Sequence, residues 1–585
     1  MKKIIRLLIF VTFFALLLLP NNVHATRGLV NSPPPGVEPR SGGTLRVALT
    51  ADPPGLYDRL FGGFDAHVVS GQVFNALTKN ELDGSITPEL AQSWEISSDV
   101  KTYTLHLVRN ATWHDGVQFT SADVKFTFEQ ILIPLTAGGK TNFGHIQSIE
   151  TPDNYTVIFH FNVPWAPFLA ALDHFTESIA PKHIYEGTDI LKNPANLKPI
   201  GTGPFMFKEY VKGDHITLVK NPNYWKKGLP YFDQIIFRFI PDAAGKVLAF
   251  ENGEIDYLPM PPYFDAARLQ DNSKAFVSVG YVAKGDVRYL LLKVTDPLTG
   301  NLKVRQGIAS AINREFVTST TTYGLAKLAN TNFNPDTWWY DPEAAAKFPK
   351  YDPALAETLL DQAGYPRKAD GKRFTLNFVS MTTQDGAKIA GLVRSDLTKV
   401  GIDVNLQVLE DVTAFQQIFV KGSFQLGYGG GATTGPDPTI AGKWFTATGI
   451  VHIPFTNAME YNNSKVNEAM SLQAQTADRG QRKNYLWTVQ EEMVRDLPII
   501  PLSTDVAPQL INPEWYNLPG GPMGGFDRYD RVFWAKGTAP GPVVSTVTVS
   551  GTVAGMDSQT FAVVVVVIAI IIAGLGFYVG RKRRP

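Results

Sequence analysis

Strand-like and helix-like patterns alternate along roughly 490 residues of this chain with no internal repeat, which restricts the body to a mixed α/β architecture. Thr44 to Leu49, Tyr103 to Val108, Thr156 to Phe161 and Thr217 to Val219 alternate with period two, and Ile235 to Ile240 is an apolar strand-like run. Helices carry their own punctuation. Thr120 opens one with Asp123 as its capping-box acid, and Val124, Phe128, Ile131 and Leu132 share a face. Asp352 and Pro353 open another, with Leu355, Leu359 and Leu360 as its stripe and Gly364 just beyond its end. A third runs from about Asp478 to Asp496 with Leu486, Val489, Met493 and Leu497 on one side; Pro498 stops it before the strand-like Ile499 to Leu502.

The ends differ from the body. Lys2, Lys3 and Arg6 precede an apolar run from Leu7 to Leu19, and Val23-His24-Ala25 suits processing, so 1–25 reads as a secretory signal. Residues 26–41 read as a flexible Pro/Gly leader and 536–560 as a Ser/Thr-rich stalk. The uncharged stretch Phe561 to Val579 is long enough for one transmembrane helix (561–580), and the tail 581–585, with Arg581, Lys582, Arg583 and Arg584, belongs on the cytoplasmic side. The expected location is the cell membrane, single-pass, with the body outside. The formal charge of zero hides an acidic body: with the seven basic residues of the signal and tail set aside, 47 basic residues face 54 acidic ones. Such a surface does not suit nucleic acid.

Catalytic equipment is sparse. Cysteine is absent, which excludes disulfides, thiolate metal sites and a cysteine nucleophile. Neither G-x-S-x-G nor H-E-x-x-H occurs. Trp113-His114-Asp115-Gly116 reads as a hairpin turn. The run Gly429-Gly430-Gly431-Ala432-Thr433-Thr434-Gly435 lacks the Lys and Ser/Thr of a phosphate loop, since Pro436-Asp437-Pro438 follows. The ten histidines show no ligand spacing. The expectation is a non-enzyme with no metal and no cofactor.

Several segments, in order over some 450 residues, resemble the family 5 extracellular solute-binding proteins of the oligopeptide, dipeptide and nickel type that serve ABC importers. They are Gly42-Gly43-Thr44-Leu45 with Asp52-Pro53, Ala91 to Glu95, Thr102 to Leu105, Trp113 to Gly116 and Thr120 to Phe126. Gly201 to Phe205, Asn221 to Trp225, Gly253 to Asp256, Val304 to Gln306, Ala311 to Asn313 and Tyr351 to Tyr365 continue the set. The resemblance implies a two-lobed, periplasmic-binding-protein-like (Venus-flytrap) fold. Lobe 1 would span 42–285 with an extra subdomain at about 75–198, lobe 2 would span 286–505, and 506–535 would return to lobe 1. It implies a substrate-binding subunit that closes on a small molecule and delivers it to an ABC permease with its ATPase subunits. The stalk and terminal helix resemble the archaeal arrangement. A secreted hydrolase of peptides or glycans is the rival reading, and it would need paired carboxylates. A surface adhesin is another.

In peptide-binding members an aspartate that holds the peptide's amino group lies three residues before an acidic-Pro pair. Here the pair is Asp437-Pro438, that position is Thr434, and the aromatic often found three residues earlier is matched by Gly431. A buried ammonium without a carboxylate is costly, so a hydroxyl-rich neutral ligand competes with a peptide unless Asp437 substitutes. The candidate ligand-binding residues are Tyr428, Gly430, Gly431, Ala432, Thr433, Thr434, Asp437, Trp444, Trp338 and Trp339, the aromatics being able to stack on sugars. Oligosaccharide and oligopeptide both stay open, with a nickel chelate as a third choice.

Overall fold

A computed structural model describes residues 31–535 apart from 34–35, 82–83, 137, 273, 282–285, 383–384, 430, 433–436 and 519–527. The signal, stalk, terminal apolar segment and basic tail lie outside the described residues. Among the described residues no helix is long and apolar enough to cross a membrane. The leader, expected to be flexible, is tied down at its described part. The side-chain amide of Asn31 is buried and donates to the carbonyls of Trp515 (2.7 Å) and Pro513 (3.2 Å).

Two large sheets organise the body. The first has seven strands in the order Phe276–Tyr281, Val506–Ile511, Tyr257–Pro259, Thr44–Leu49, Gln234–Phe239, His215–Lys220 and Phe205–Val211. Thr44–Leu49 runs parallel to Gln234–Phe239, register Thr44 to Gln234 through Leu49 to Phe239. Its core holds Leu45, Val47, Val69, Phe74, Ile235 and Phe237, all buried. The second sheet has six strands centred on Val287–Leu292, which is flanked by Ile499–Thr504 on one side and by Leu426–Tyr428 and Gly431–Ala432 on the other. Thr375–Met381 and Asp403–Leu409 extend it in parallel fashion.

The chain passes from one sheet to the other twice. Phe276–Tyr281 lies in the first and Val287–Leu292 in the second; Ile499–Thr504 lies in the second and Val506–Ile511 in the first. At the two passages the amide of Asp505 donates to the carbonyl of Asp286 at 3.1 Å.

A four-stranded antiparallel sheet, Ala91–Ile96, Thr102–Leu107, Thr156–Phe161 and Ile146–Asp153, forms a third core. Its alternation places Tyr103, Leu105, Leu107, Val157, Phe159 and Phe161 inward. They pack with Phe128 and Phe168, whose rings stand 4.7 to 5.0 Å from their neighbours Phe159 and Tyr103. Each fully buried ring contributes about 1.5–3 kcal/mol. The helix over this sheet starts where the capping box predicts: Asp123 accepts from the Thr120 amide at 2.9 Å. It then widens into π-type turns at Thr127–Leu132, and Val124, Phe128, Ile131 and Leu132 are all buried.

The turn at Trp113 to Val117 closes as a hairpin, with Trp113 N–H on Val117 O and Gly116 N–H on Trp113 O, both 2.8 Å. His114 docks on the Gly201–Gly203 segment. Gly201 is required there because a Cβ would sit 1.9 Å from the Val73 carbonyl oxygen. Gly201→Ala is therefore expected to cost about 1–3 kcal/mol by overpacking, read as a lower urea midpoint; an unchanged midpoint would show that the segment can shift freely.

Candidate functional site

The second sheet supplies the candidate loop. Strand Leu426–Tyr428 is paired on both sides: Leu426 and Gly427 face Leu292 and Leu291, while Phe378, Val379 and Ser380 face Leu426, Gly427 and Tyr428. Past Tyr428 the pairing becomes one-sided. Gly431 and Ala432 continue along Arg288 and Val287, and no described strand borders their other edge. Gly429, between the two pieces, packs so closely that a Cβ would meet the Phe419 ring at 2.9 Å. Gly430, Thr433 and Thr434 lie outside the described residues.

Beneath this edge sits an ion cluster that sequence reasoning missed. Arg288 Nη1 reaches Asp385 Oδ2 at 2.8 Å and Nε reaches Asp505 Oδ1 at 2.9 Å. Its guanidinium lies 5.3 Å from the Tyr263 ring, and the Tyr263 hydroxyl donates to Val506 O at 2.9 Å. Burial opposes the arginine's charge, but Asp505 and Asp385 hold it charged, well above the usual arginine range. Tyr428 is buried against the same group, and burial pushes its hydroxyl up to about 12. The cluster joins residues 97 and 217 positions apart, so no local spacing could have revealed it.

Asp437 is buried and already engaged. Arg482 Nη2 contacts both carboxylate oxygens at 2.8 Å, and the Thr439 amide donates to Oδ1 at 2.9 Å, capping the turn Pro438–Ala441. Arg482 also holds Gln473 Oε1 at 2.8 Å. Asp437 thus ends the candidate loop as an anchored residue.

The tryptophans separate. Trp444 is 2% and Trp339 3% exposed, both in one apolar cluster. Trp444 meets the Phe419 and Phe455 rings at 6.0 and 6.1 Å; Trp339 meets Phe333 at 6.1 Å. Both rings are core residues of the second sheet's apolar cluster. Trp338 is partly exposed, edge-on to Trp339 at 5.2 Å, with the Arg479 guanidinium 4.7 Å from its ring. Tyr428, Gly431 and Ala432 lie along the second sheet; Asp437 contacts Arg482, whose guanidinium stands 5.9 Å from the Trp338 ring.

The first sheet carries a hollow of its own. At the carboxyl ends of Thr44–Leu49 and Tyr257–Pro259, where open α/β sheets place their ligands, a cavity of about 650 Å³ is lined by Thr50, Asp52, Asp65, His67, Lys246 and Met260. Asp65 accepts from the amides of Thr50 (3.1 Å) and Ala51 (2.9 Å). From Met260 the helix Tyr263–Leu269 leads to Arg288 through Tyr263.

Residues 85–451 match the model of the bacterial extracellular solute-binding proteins, family 5 Middle. The chain is 29% identical over 499 residues to the di/tripeptide-binding protein 1 of Pseudomonas aeruginosa, covering 79% of this chain and 89% of that one. The solved structure of the ABC transporter-associated periplasmic binding protein DppA from Helicobacter pylori, in complex with the peptide STSA, superposes with a TM-score of 0.70 at 27% identity, over 85% of this chain and 98% of that one. AgaA of A. tumefaciens R10, in complex with agropinic acid, gives 0.70 at 25% identity, over 85% and 100%.

Proposed function

The chain belongs to the bacterial extracellular solute-binding proteins of family 5, and from that premise we propose that its ligand is a short peptide held in extended form along the open edge of Gly431–Ala432. As a member of the family the protein is the extracytoplasmic substrate-binding subunit of an ABC importer; it binds its cargo and delivers it to the permease, and it is not an enzyme.

The observation that carries the peptide reading is the one-sided pairing at Gly431 and Ala432. A strand edge that no described strand covers can accept an added strand, and every peptide brings the matching donors and acceptors. Peptides named with the Pseudomonas and Helicobacter relatives point the same way. An oligosaccharide is the second reading, favoured by the capture of Asp437 by Arg482, which leaves that carboxylate unavailable for a peptide's ammonium.

The reading takes the segments 42–285, with its subdomain at about 75–198, and 506–535 as one lobe and 286–505 as the other. It is supported by the sheet membership of the strands on either side of residues 285 and 505. It also takes 561–580 as a tether, supported by the uncharged stretch and the basic residues after it.

A thermal-shift screen separates the ligand classes. Pooled tetrapeptides are expected to stabilise the protein, by about 2.7 kcal/mol at a hundredfold excess over Kd, and oligosaccharides to leave it unmoved. Stabilisation by sugars alone would replace the peptide reading with the second one.

A further inference from the structure

Three Asn-x-Ser/Thr triplets occur in the chain: Asn110-Ala111-Thr112, Asn154-Tyr155-Thr156 and Asn462-Asn463-Ser464. In an extracytoplasmic body such triplets are acceptors for N-linked sugar where the asparagine amide meets solvent. All three asparagines are exposed, so exposure does not choose among them. Their hydrogen bonds do.

Asn110 Nδ2, the nitrogen that would bear the sugar, donates to Trp225 O at 3.0 Å. A substituent on it has to break that link. Asn462 Oδ1 accepts from Asn467 Nδ2 at 2.9 Å, so this amide too is held in the fold. Its triplet runs straight into the helix Ser464–Ala474, with Asn463 as the cap and Ser464 as the first helical residue. Asn154 differs: its side chain is exposed and makes no hydrogen bond among the described residues.

The turn around Asn154 does not need that side chain. Asp153 and Thr156 are cross-strand partners, which leaves Asn154 and Tyr155 as the turn between Ile146–Asp153 and Thr156–Phe161. Asp153 Oδ1 accepts the Tyr155 amide at 2.7 Å. The Ser121 amide donates to Asn154 O at 2.8 Å and the Ser121 hydroxyl to Asp153 O at 2.6 Å. The Arg109 guanidinium stands 4.9 Å from the Tyr155 ring. Backbone and neighbours thus fix the turn and leave the Asn154 amide to solvent. The eight-residue strand Ile146–Asp153 spans about 25 Å. At its far end the Asn162 amide donates to His145 O at 3.1 Å, and just beyond, the Ala166 amide meets Ala474 O at 2.8 Å. A bulky group on Asn154 leaves from the end of the sheet opposite that contact.

We propose that Asn154 carries an N-linked oligosaccharide and that Asn110 and Asn462 do not. The donor is an oligosaccharide borne on a polyprenyl phosphate. Asn154 Nδ2 forms a bond to its anomeric carbon, and the bond from that carbon to the phosphate oxygen breaks. The lipid phosphate leaves with the electron pair, and the amide proton passes to a carboxylate of the transferase.

Peptide mass spectrometry of the full chain purified from its own cells is the test. Trypsin places the triplets on separate peptides, Asn110–Lys125, Thr141–Lys182 and Trp444–Lys465. The expected result is a hexose-containing mass on Thr141–Lys182, localised to Asn154 by electron-transfer fragmentation, at about tenfold or higher occupancy than on the other two. Thr156→Val should abolish the mass with Asn154 still in place, and Thr156→Ser should retain it. Recovery of Thr141–Lys182 in unmodified form alone would overturn the proposal. Equal occupancy of the three triplets, or sugar on Asn110 or Asn462 instead, would overturn it as well. A mass that survives Thr156→Val would mark a chemical adduct and have the same effect.

Discussion

Arg482→Met is expected to destabilise the body by about 3–5 kcal/mol, the cost of leaving a buried carboxylate without its counter-charge. Both partners are well covered, the Arg482 side chain being 9% and the Asp437 side chain 7% exposed. The arginine also satisfies Gln473 Oε1, so its removal strands a second buried acceptor. Pairing the change with Asp437→Leu should recover most of the loss, because two apolar side chains can replace a buried ion pair at little cost. Urea unfolding of the two variants decides the matter. A single variant within 1 kcal/mol of the parent would show that water reaches Asp437 in solution. Ligand affinity should drop in the single variant as well, since Asp437 fixes the end of the candidate loop through its cap on Thr439.

The second large effect is a loss of stability on acidification from pH 6.5 to 4, carried by two imidazoles. His114 is fixed as a neutral tautomer: its Nε2–H donates to Gly203 O at 3.0 Å and its Nδ1 accepts the Gly201 N–H at 3.2 Å. His174 is buried, with Nδ1 on the Ser178 hydroxyl at 2.8 Å and Nε2 3.9 Å from the Asp58 carboxylate. Burial lowers both to about 4. The unfolded chain takes up each proton near pH 6.5, which the folded chain refuses until near pH 4. The stability these two imidazoles contribute is therefore complete above pH 6.5 and falls through that window, by roughly 3 kcal/mol for each at its lower end, while buried Glu177, raised by desolvation, acts in the opposite direction. Below it, Asp58 continues the trend. Its buried carboxylate faces desolvation, yet Arg59 and His67 keep it ionised well below the usual range, and protonating it forfeits those contacts. His114→Asn should flatten the slope between pH 6.5 and 4. A parent protein equally stable at pH 7 and pH 4.5 would refute the assignment.

What the sequence made legible was local. The cap at Asp352 and Pro353, the Asp478 cap of helix Arg479–Asp496, and the Trp113 turn all involve partners within a few residues. Their chemistry is decided by neighbours, so pattern suffices. Strand alternation was equally readable where one face is buried, as in Thr102–Leu107. The order of the seven-stranded sheet was out of reach, because it brings Phe276–Tyr281 beside Val506–Ile511 with no turn to link them. The resemblance to a known family supplied what pattern could not. The candidate site suffered in the same way. Trp339 and Trp444 have the composition of a sugar platform, but aromatic rings serve a core equally well, and only packing distinguishes the two. Arg482 lies 45 residues from Asp437, which made the acid look available when it was not.

The paired connections between the two large sheets have a mechanical consequence. A single strap could twist as well as bend, letting one half precess about the other. Here the chain passes between the sheets twice, and the Asp505 amide at one passage donates to the Asp286 carbonyl at the other, so torsion about either would have to shear that contact. On the proposed division into two lobes, the motion expected of them is a swing about one line, like a door on two pins, with Gly431–Ala432 returning along the same arc.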